Sequence, residues 1–194
     1  MDLTKTAAVL KTLRKEKGMT QKNVADALGL SAKTVSKWEC AGGCPDVSVL
    51  AELSELYGVD LRGLLAGDVK KNAVPGGNMK QIRFYVCRTC GNVITATGTA
   101  SVSCCGRLLD ALCASDADET HALSMEQVED ELFLTSSHPM EKSHYLSFLA
   151  FVEGDRVLLI RQYPEWTMEQ RMKLRRHGTL YWYCTEHGLF RKRI

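Results

Sequence analysis

Apolar residues recur at helical spacing through the first 67 positions and at strand spacing, or in short runs, after residue 80. Val9, Leu10 and Leu13 share one face of a first helix, from about Thr6 to Lys17, which Gly18 stops. Thr20 caps a second helix, Gln21 to Leu28, and Ser31 caps a third, Ala32 to Glu39, with Gly29 in the turn between them. Asp46 caps a fourth, on which Val49, Leu50, Leu53 and Leu56 repeat before Gly58; Asp60 opens a short fifth through Leu65, ended by Gly67. From Gly67 to Lys80 neither period survives, and Val74-Pro75-Gly76-Gly77-Asn78 reads as a linker. Gln81 to Val86 alternates, with Ile82, Phe84 and Val86 on one face of a strand. His144 to Val152 is an almost uninterrupted apolar run, as in a central sheet strand. Val157 to Ile160, Met172 to Leu174 and Leu180 to Cys184 are further strands, and Gly154-Asp155 and Tyr163-Pro164 are turns. Several short strands at such spacing predict a β-sandwich.

Composition narrows the class. With 194 residues, 45% apolar and 25% charged, the chain has the balance of a globular protein of up to three small domains. No apolar run approaches the ~20 residues of a membrane span, and Met1 to Lys17 reads as an amphipathic helix, not as a leader. Eight cysteines then point to a reducing compartment and metal ligation, with the cytoplasm as the expected location. A net charge of +2 hides segregation: residues 1–39 carry eight Lys/Arg against four acids, and residues 115–153 nine acids against one lysine. The basic head suits phosphate contact; the acidic middle reads as a solvated face.

Two helices joined by a short glycine turn inside a five-helix bundle make a helix-turn-helix. Met19-Thr20-Gln21 through Val35-Ser36-Lys37-Trp38-Glu39 is similar to the Cro and phage-repressor class, with Val24, Ala25, Leu28, Val35 and Trp38 as core. The resemblance implies that the third helix enters the major groove of double-stranded DNA as part of a homodimer. On that mapping Ala32, Lys33 and Lys37 face bases, while Gln21, Thr34 and Ser36 contact phosphates. Cys40 and Cys44 lack a histidine or second pair to complete a metal site, and Cys44, before Pro45, reads as a small buried residue.

The β-rich part carries two sets of candidate metal ligands. Cys87-Arg88-Thr89-Cys90-Gly91 and Cys104-Cys105-Gly106 supply four thiolates, one pair with the usual two-residue gap and one vicinal. Adjacent cysteines reach tetrahedral angles only with strain, so this centre is expected to be distorted. The pattern closely resembles desulforedoxin, the N-terminal iron module of desulfoferrodoxin; four thiolates accept iron or zinc alike. Cys113 falls outside it and is expected to be buried. Further on, His138-Pro139-Met140-Glu141-Lys142-Ser143-His144 and Tyr183-Cys184-Thr185-Glu186-His187-Gly188 each hold two residues able to ligate a soft or borderline metal.

These last motifs resemble superoxide reductase, the neelaredoxin-type iron domain. The resemblance implies one mononuclear iron held equatorially by His121, His138, His144 and His187 and axially by Cys184. It further implies that ferrous iron passes one electron to superoxide, that a small protein such as rubredoxin donates electrons, and that Glu119 takes the open position on ferric iron. The family's lysine next to that glutamate is Thr120 here, a departure bearing on turnover; Lys142 is a candidate substitute. His177 is left over and reads as structural.

The expected fold is multidomain α + β: a helix-turn-helix bundle (1–67), a linker (68–80), a desulforedoxin-like four-cysteine knuckle (81–113) and an immunoglobulin-like β-sandwich (114–194). Its expected function is superoxide reduction by an iron protein with a DNA-binding head. The alternative is a transcription regulator whose iron centres sense superoxide, peroxide or iron.

Overall fold

The computed structural model of the chain describes residues 2–69, 78–173 and 177–194, which belong to two compact units, Met1–Lys71 and Asn72–Ile194. Most of the expected linker, and Leu174 at the end of one expected strand, lie outside the described residues.

The first unit consists of helices α1 (Leu3–Glu16), α2 (Gln21–Ala27), α3 (Ala32–Glu39), α4 (Val47–Tyr57) and α5 (Leu61–Ala66). Helix α1 begins earlier than its apolar period suggests, because the Asp2 carboxylate accepts the backbone N–H groups of Thr4 and Lys5. Thr20 and Asn23 form a reciprocal capping box for α2, and Ser31 caps α3. Leu10, Val24, Val35, Trp38, Leu50 and Leu53 meet in one apolar core. Ala25, 1% exposed, lies within it, as the expected close approach of α2 and α3 requires. A polar clasp spans α1 to α3: Arg14 donates from Nε and Nη2 to the Glu39 carboxylate at 2.6 and 2.9 Å, and Gln21 Nε2 adds a third bond at 2.9 Å.

The described part of the second unit opens with a 3-10 turn, Met79–Gln81, and two small hairpins: β1 (Arg83–Val86) with β2 (Val93–Ala96), and β3 (Val102–Cys104) with β4 (Arg107–Leu109). The remaining strands are β5 (Ala114–Asp116), β6 (Ser124–Val128), β7 (Glu131–Thr135), β8 (Leu146–Glu153), β9 (Arg156–Arg161), β10 (Glu169–Lys173), β11 (Thr179–Cys184) and β12 (Gly188–Arg193). They form a three-stranded sheet, β10-β7-β6, and a five-stranded sheet, β5-β12-β11-β8-β9, the two layers of an immunoglobulin-like sandwich. Leu149 and Phe151 of β8 join Leu132, Leu134, Met172 and Trp182 between the layers. Phe148 and Ala150, on the opposite face of β8, pack with Phe84 and Tyr183. The apolar run is unbroken, not alternating, because β1 covers the outer face of the sheet that β8 helps to build.

Two expected burials do not occur. Cys44 and Cys113 are both exposed. Beside Cys44 it is Pro45 that turns inward. Cys113 lies between Leu112 and Ala114, both packed on the Phe84–Phe148 cluster, so the extended chain directs its thiol to solvent.

Candidate metal centres and DNA-facing helix

The four-cysteine group is built from strand ends and tight turns. After β1, the Cys87 carbonyl accepts the Gly91 N–H at 2.8 Å, and the Cys87 N–H donates to the Asn92 carbonyl at 2.9 Å, which curls Cys87 to Cys90 into a knuckle. Cys104 ends β3, and Cys105-Gly106 turn the chain into β4. All four sulfurs lie within 4.8 Å of one another, with Cys90 to Cys104 at 3.6 Å and Cys104 to Cys105 at 4.0 Å. A tetrahedron with metal–sulfur bonds of ~2.3 Å has edges of about 3.8 Å, so the set fits a metal. The strain of the vicinal pair sits in the backbone: Cys105 has φ of 50°, a left-handed conformation for a residue with a Cβ. The Cys90 N–H pulls the Cys87 thiol down to about 6, while hydrogen bonds with the neighbouring thiols, Cys90 first, push Cys105 up to about 12. One thiolate forms readily and resists the rest, a conflict that a bound cation removes.

The second group gathers residues far apart in sequence. His121 lies in the turn before β6, His138 and His144 flank the loop before β8, Cys184 ends β11, and His187 sits in the turn to β12. The four imidazoles form a ring: centroid distances are 5.1 Å for His121–His138, 4.5 Å for His138–His144, 5.0 Å for His144–His187 and 4.6 Å for His187–His121. The His121–His144 diagonal is 6.4 Å. His121, His144, Cys184 and His187 place their ligand atoms within 4.8 Å of one another; His138 joins through its ring contacts.

Within this ring, His121 Nε2 and His187 Nδ1 lie 3.0 Å apart, and Cys184 Sγ lies 3.5 Å from His187 Nδ1. Two nitrogens at right angles on a metal ~2.1 Å away would stand about 3 Å apart. Both ring nitrogens of His138 and Nε2 of His144 are buried with no hydrogen-bond partner. Orphaned imidazole nitrogens cost free energy unless something binds them. Burial also holds the His138 pKa below its ordinary value, which keeps the ring neutral and able to ligate.

Several supports of this ring carry no signal in the apolar period. Asp118 Oδ1 lies 2.5 Å from His121 Nδ1, which assigns the proton to Nδ1 and leaves Nε2 free for a metal. The hydrogen bond from His121 holds the Asp118 carboxyl down to about 2. Phe190 stacks on His121 at 4.6 Å, and Trp182 Nε1 donates to the His121 carbonyl at 2.8 Å. Thr185 joins two ligand-bearing loops: its hydroxyl donates to the Ser143 carbonyl at 2.9 Å and accepts the Tyr145 N–H at 3.1 Å, and its N–H donates to the Tyr145 carbonyl at 3.1 Å. A carboxylate three residues before a candidate histidine was a readable cue for Asp118; Thr185 offered none.

Glu119 is exposed in the turn before His121. The Thr120 hydroxyl lies 2.8 Å from Asp118 Oδ1 and 2.9 Å from His121 Nδ1. Lys142 Nζ lies 3.7 Å from Glu165 Oε1, both side chains well exposed. His177 is exposed and apart from both groups. In the head, Ala32, Lys33 and Lys37 are exposed along α3, while Thr34 and Ser36 are half-buried. Gln21 uses one amide hydrogen on Glu39, which leaves the second for a phosphate.

A family model described as helix-turn-helix matches residues 10–64. The chain is 36% identical over 80 residues to the HTH-type transcriptional activator BcrR of Enterococcus faecalis, covering 40% of this chain and 39% of that one. It is 37% identical over 59 residues to the HTH-type transcriptional regulator YqaE of Bacillus subtilis, covering 30% of this chain and 51% of that one. The chain thus spans about half or less of either regulator. Among solved structures, superoxide reductase from Treponema pallidum matches 57% of this chain and 97% of its own, with a TM-score of 0.52 and 18% identity. The second unit therefore shares the fold of that reductase.

Proposed function

We propose that this chain is an iron protein in which a superoxide reductase-type centre is joined to a DNA-binding head. The observation that carries the reading is the ring of four imidazoles closed on the buried Cys184, with ring nitrogens of His138 and His144 left without partners. His121, His138, His144, His187 and Cys184 would hold the iron. Bound there, ferrous iron would supply one electron to superoxide, which leaves with two protons as hydrogen peroxide. The protein's own part is positional: Asp118 holds the tautomer of His121, and Thr185 fixes the spacing between the loops of His144 and of Cys184 and His187. Glu119 and Lys142 are proposed for the mouth of the site. Cys87, Cys90, Cys104 and Cys105 are proposed to hold a second iron, or zinc. Double-stranded DNA, superoxide and a small electron-donor protein such as rubredoxin complete the proposed partners, in the cytoplasm. The boundaries at 67, 80 and 113 are proposed as the domain limits.

A second reading, a regulator whose iron centres sense superoxide, peroxide or iron, is favoured by one observation. Where the reductase pattern has a lysine, Thr120 turns its hydroxyl to Asp118 and His121 and adds no positive charge. Pulse radiolysis of the iron-loaded protein and of Thr120→Lys, at two ionic strengths, separates the readings. Reductase function predicts superoxide decay faster than with aqueous ferrous iron, and a gain in Thr120→Lys that shrinks with salt, since the Debye length is only ~10 Å at 0.1 M. No advantage over aqueous iron would overturn it and leave the regulator, whose DNA affinity must then differ between ferrous and ferric protein.

A further inference from the structure

Two features of the second unit take no part in either metal group: His177, and the positive charge of residues 154–194, nine Lys/Arg against four acids. His177 and part of that charge meet in one place. A cleft of about 450 Å³ is lined there by Lys80, Val152, His177, Gly178, Tyr181 and Arg193. None of its described lining residues is acidic, and no described acid forms an ion pair with Lys80, His177 or Arg193. Cations grouped without a counter-charge repel one another, and a bound anion removes that repulsion. The cleft stands on a fixed frame. Gly178 and Ile194 exchange both backbone hydrogen bonds at 3.0 Å, which ties the base of Arg193 to the start of β11. A Cβ on Gly178 would lie 2.4 Å from the Val152 carbonyl, so only glycine lets the chain pass so close to β8. Phe84 packs on the Tyr181 ring at 5.2 Å. Asn78 Oδ1 accepts the Lys80 N–H at 2.9 Å in the turn that carries Lys80.

We propose that this cleft binds a backbone phosphate of the DNA held by the head. Lys80 and Arg193 supply the charge, and the His177 imidazole and Tyr181 hydroxyl supply further donors. The proposal rests on the DNA-binding reading above and is independent of the metals. Connectivity favours DNA as the source of the phosphate. Val69, the last described residue of the first unit, and Met79, beside Lys80, are ten positions apart, ~35 Å of fully extended chain. That is about one turn of the duplex. DNA on the head therefore stays within reach of the cleft and meets it as a tethered ligand at high effective concentration. A phosphate held there adds affinity without adding sequence preference.

The test is an anisotropy titration of the full, metal-loaded chain over a range of salt concentrations, with two unrelated duplexes of about three helical turns. Arg193→Ala should lower the slope of log affinity against log salt by about one and weaken both duplexes alike. Lys80→Ala should act likewise, and Arg193→Lys should keep the slope. Lys192 is the control. It lies opposite Leu180, which packs between the layers, so it projects from the other face of β12. Lys192→Ala should leave the slope unchanged. Circular dichroism and metal absorption should match the parent chain in every variant. Retained DNA binding with an unchanged slope in Arg193→Ala and Lys80→Ala overturns this proposal alone. So does an equal drop in Lys192→Ala, which would make the effect one of general charge. Inorganic phosphate binding that calorimetry detects and Arg193→Ala abolishes, with no change in slope, would give the cleft to a small phosphate and overturn the DNA assignment. A parent chain that binds no DNA overturns the DNA reading together with this proposal.

Discussion

Asp118 and Cys184 bear on the same centre in different ways. Asp118 is a solvent-facing carboxylate, 63% exposed at its side chain, that holds the Nδ1 proton of a buried imidazole. Asp118→Ala should weaken metal binding in the second unit by roughly 10–100-fold with little loss of fold, as removal of such outer partners does. Competition with a chelator would measure it. Cys184 is fully buried, and Cys184→Ser in iron-loaded protein should abolish the sulfur-to-ferric charge-transfer band; an unchanged band would refute the axial assignment. In the head, burial alone would raise the pKa of Glu39, but the bonds from Arg14 and Gln21 outweigh it and keep the carboxyl below its usual value. Its stabilising contribution is therefore present above the unfolded pKa near ~4.3 and is lost as pH falls through the lower folded value. Glu39→Ala leaves Arg14, 13% exposed at its side chain, without its partner. It should cost the head about 3 kcal/mol at pH 7 and less once the pH falls below the lowered folded pKa of Glu39, as read from denaturant melts.

At the scale of elements, the two metal groups differ in what surrounds them. The hairpins β1–β2 and β3–β4 have four and three paired positions each, too few to hold themselves without packing or metal. Removing metal from Cys87, Cys90, Cys104 and Cys105 should lower the melting temperature of residues 81–113, because metal affinity appears there as folding energy. Phe84, packed on Phe148 at 5.7 Å, should keep β1 attached to the sandwich after chelation. The histidine ring rests on finished strands, so its apo form should stay folded. Its weak link is the contact between loops, where Thr185→Val removes the hydroxyl that bridges Ser143 and Tyr145. That change should broaden the charge-transfer band and lower metal affinity, and Thr185→Ser should restore both.

The whole molecule joins a helix-turn-helix to a unit with the reductase fold, and prediction at this scale concerns DNA. A head reading one half-site per subunit needs a two-fold partner, with half-sites one helical turn apart. Lys33→Ala should relax base preference, whereas Gln21→Ala should weaken all sequences alike and also loosen the Glu39 clasp. Affinity should fall steeply with added salt as counterions are released; a flat salt response in a mobility-shift titration would sink DNA binding.

The sequence by itself determined the helices, because caps and stops act within four residues: Thr20, Ser31, Gly58 and Gly67 all end or begin helices where the period says they should. It also determined the candidate ligands, since sulfur and imidazole at close spacing are legible chemistry wherever the chain goes. Tertiary structure decided the rest. Strands β5, β7 and β12 escaped the pattern because a sheet is completed by partners distant in sequence: β12 pairs in parallel with β5, more than 70 positions earlier. The exposure of Cys44 and Cys113 followed from which neighbour took the inward place. Trp182, Thr185 and Phe190 acquired their roles only when three separate segments met around one ring. Hydrogen-bond geometry of that kind depends on positions fixed by the whole sandwich, and no local period records it.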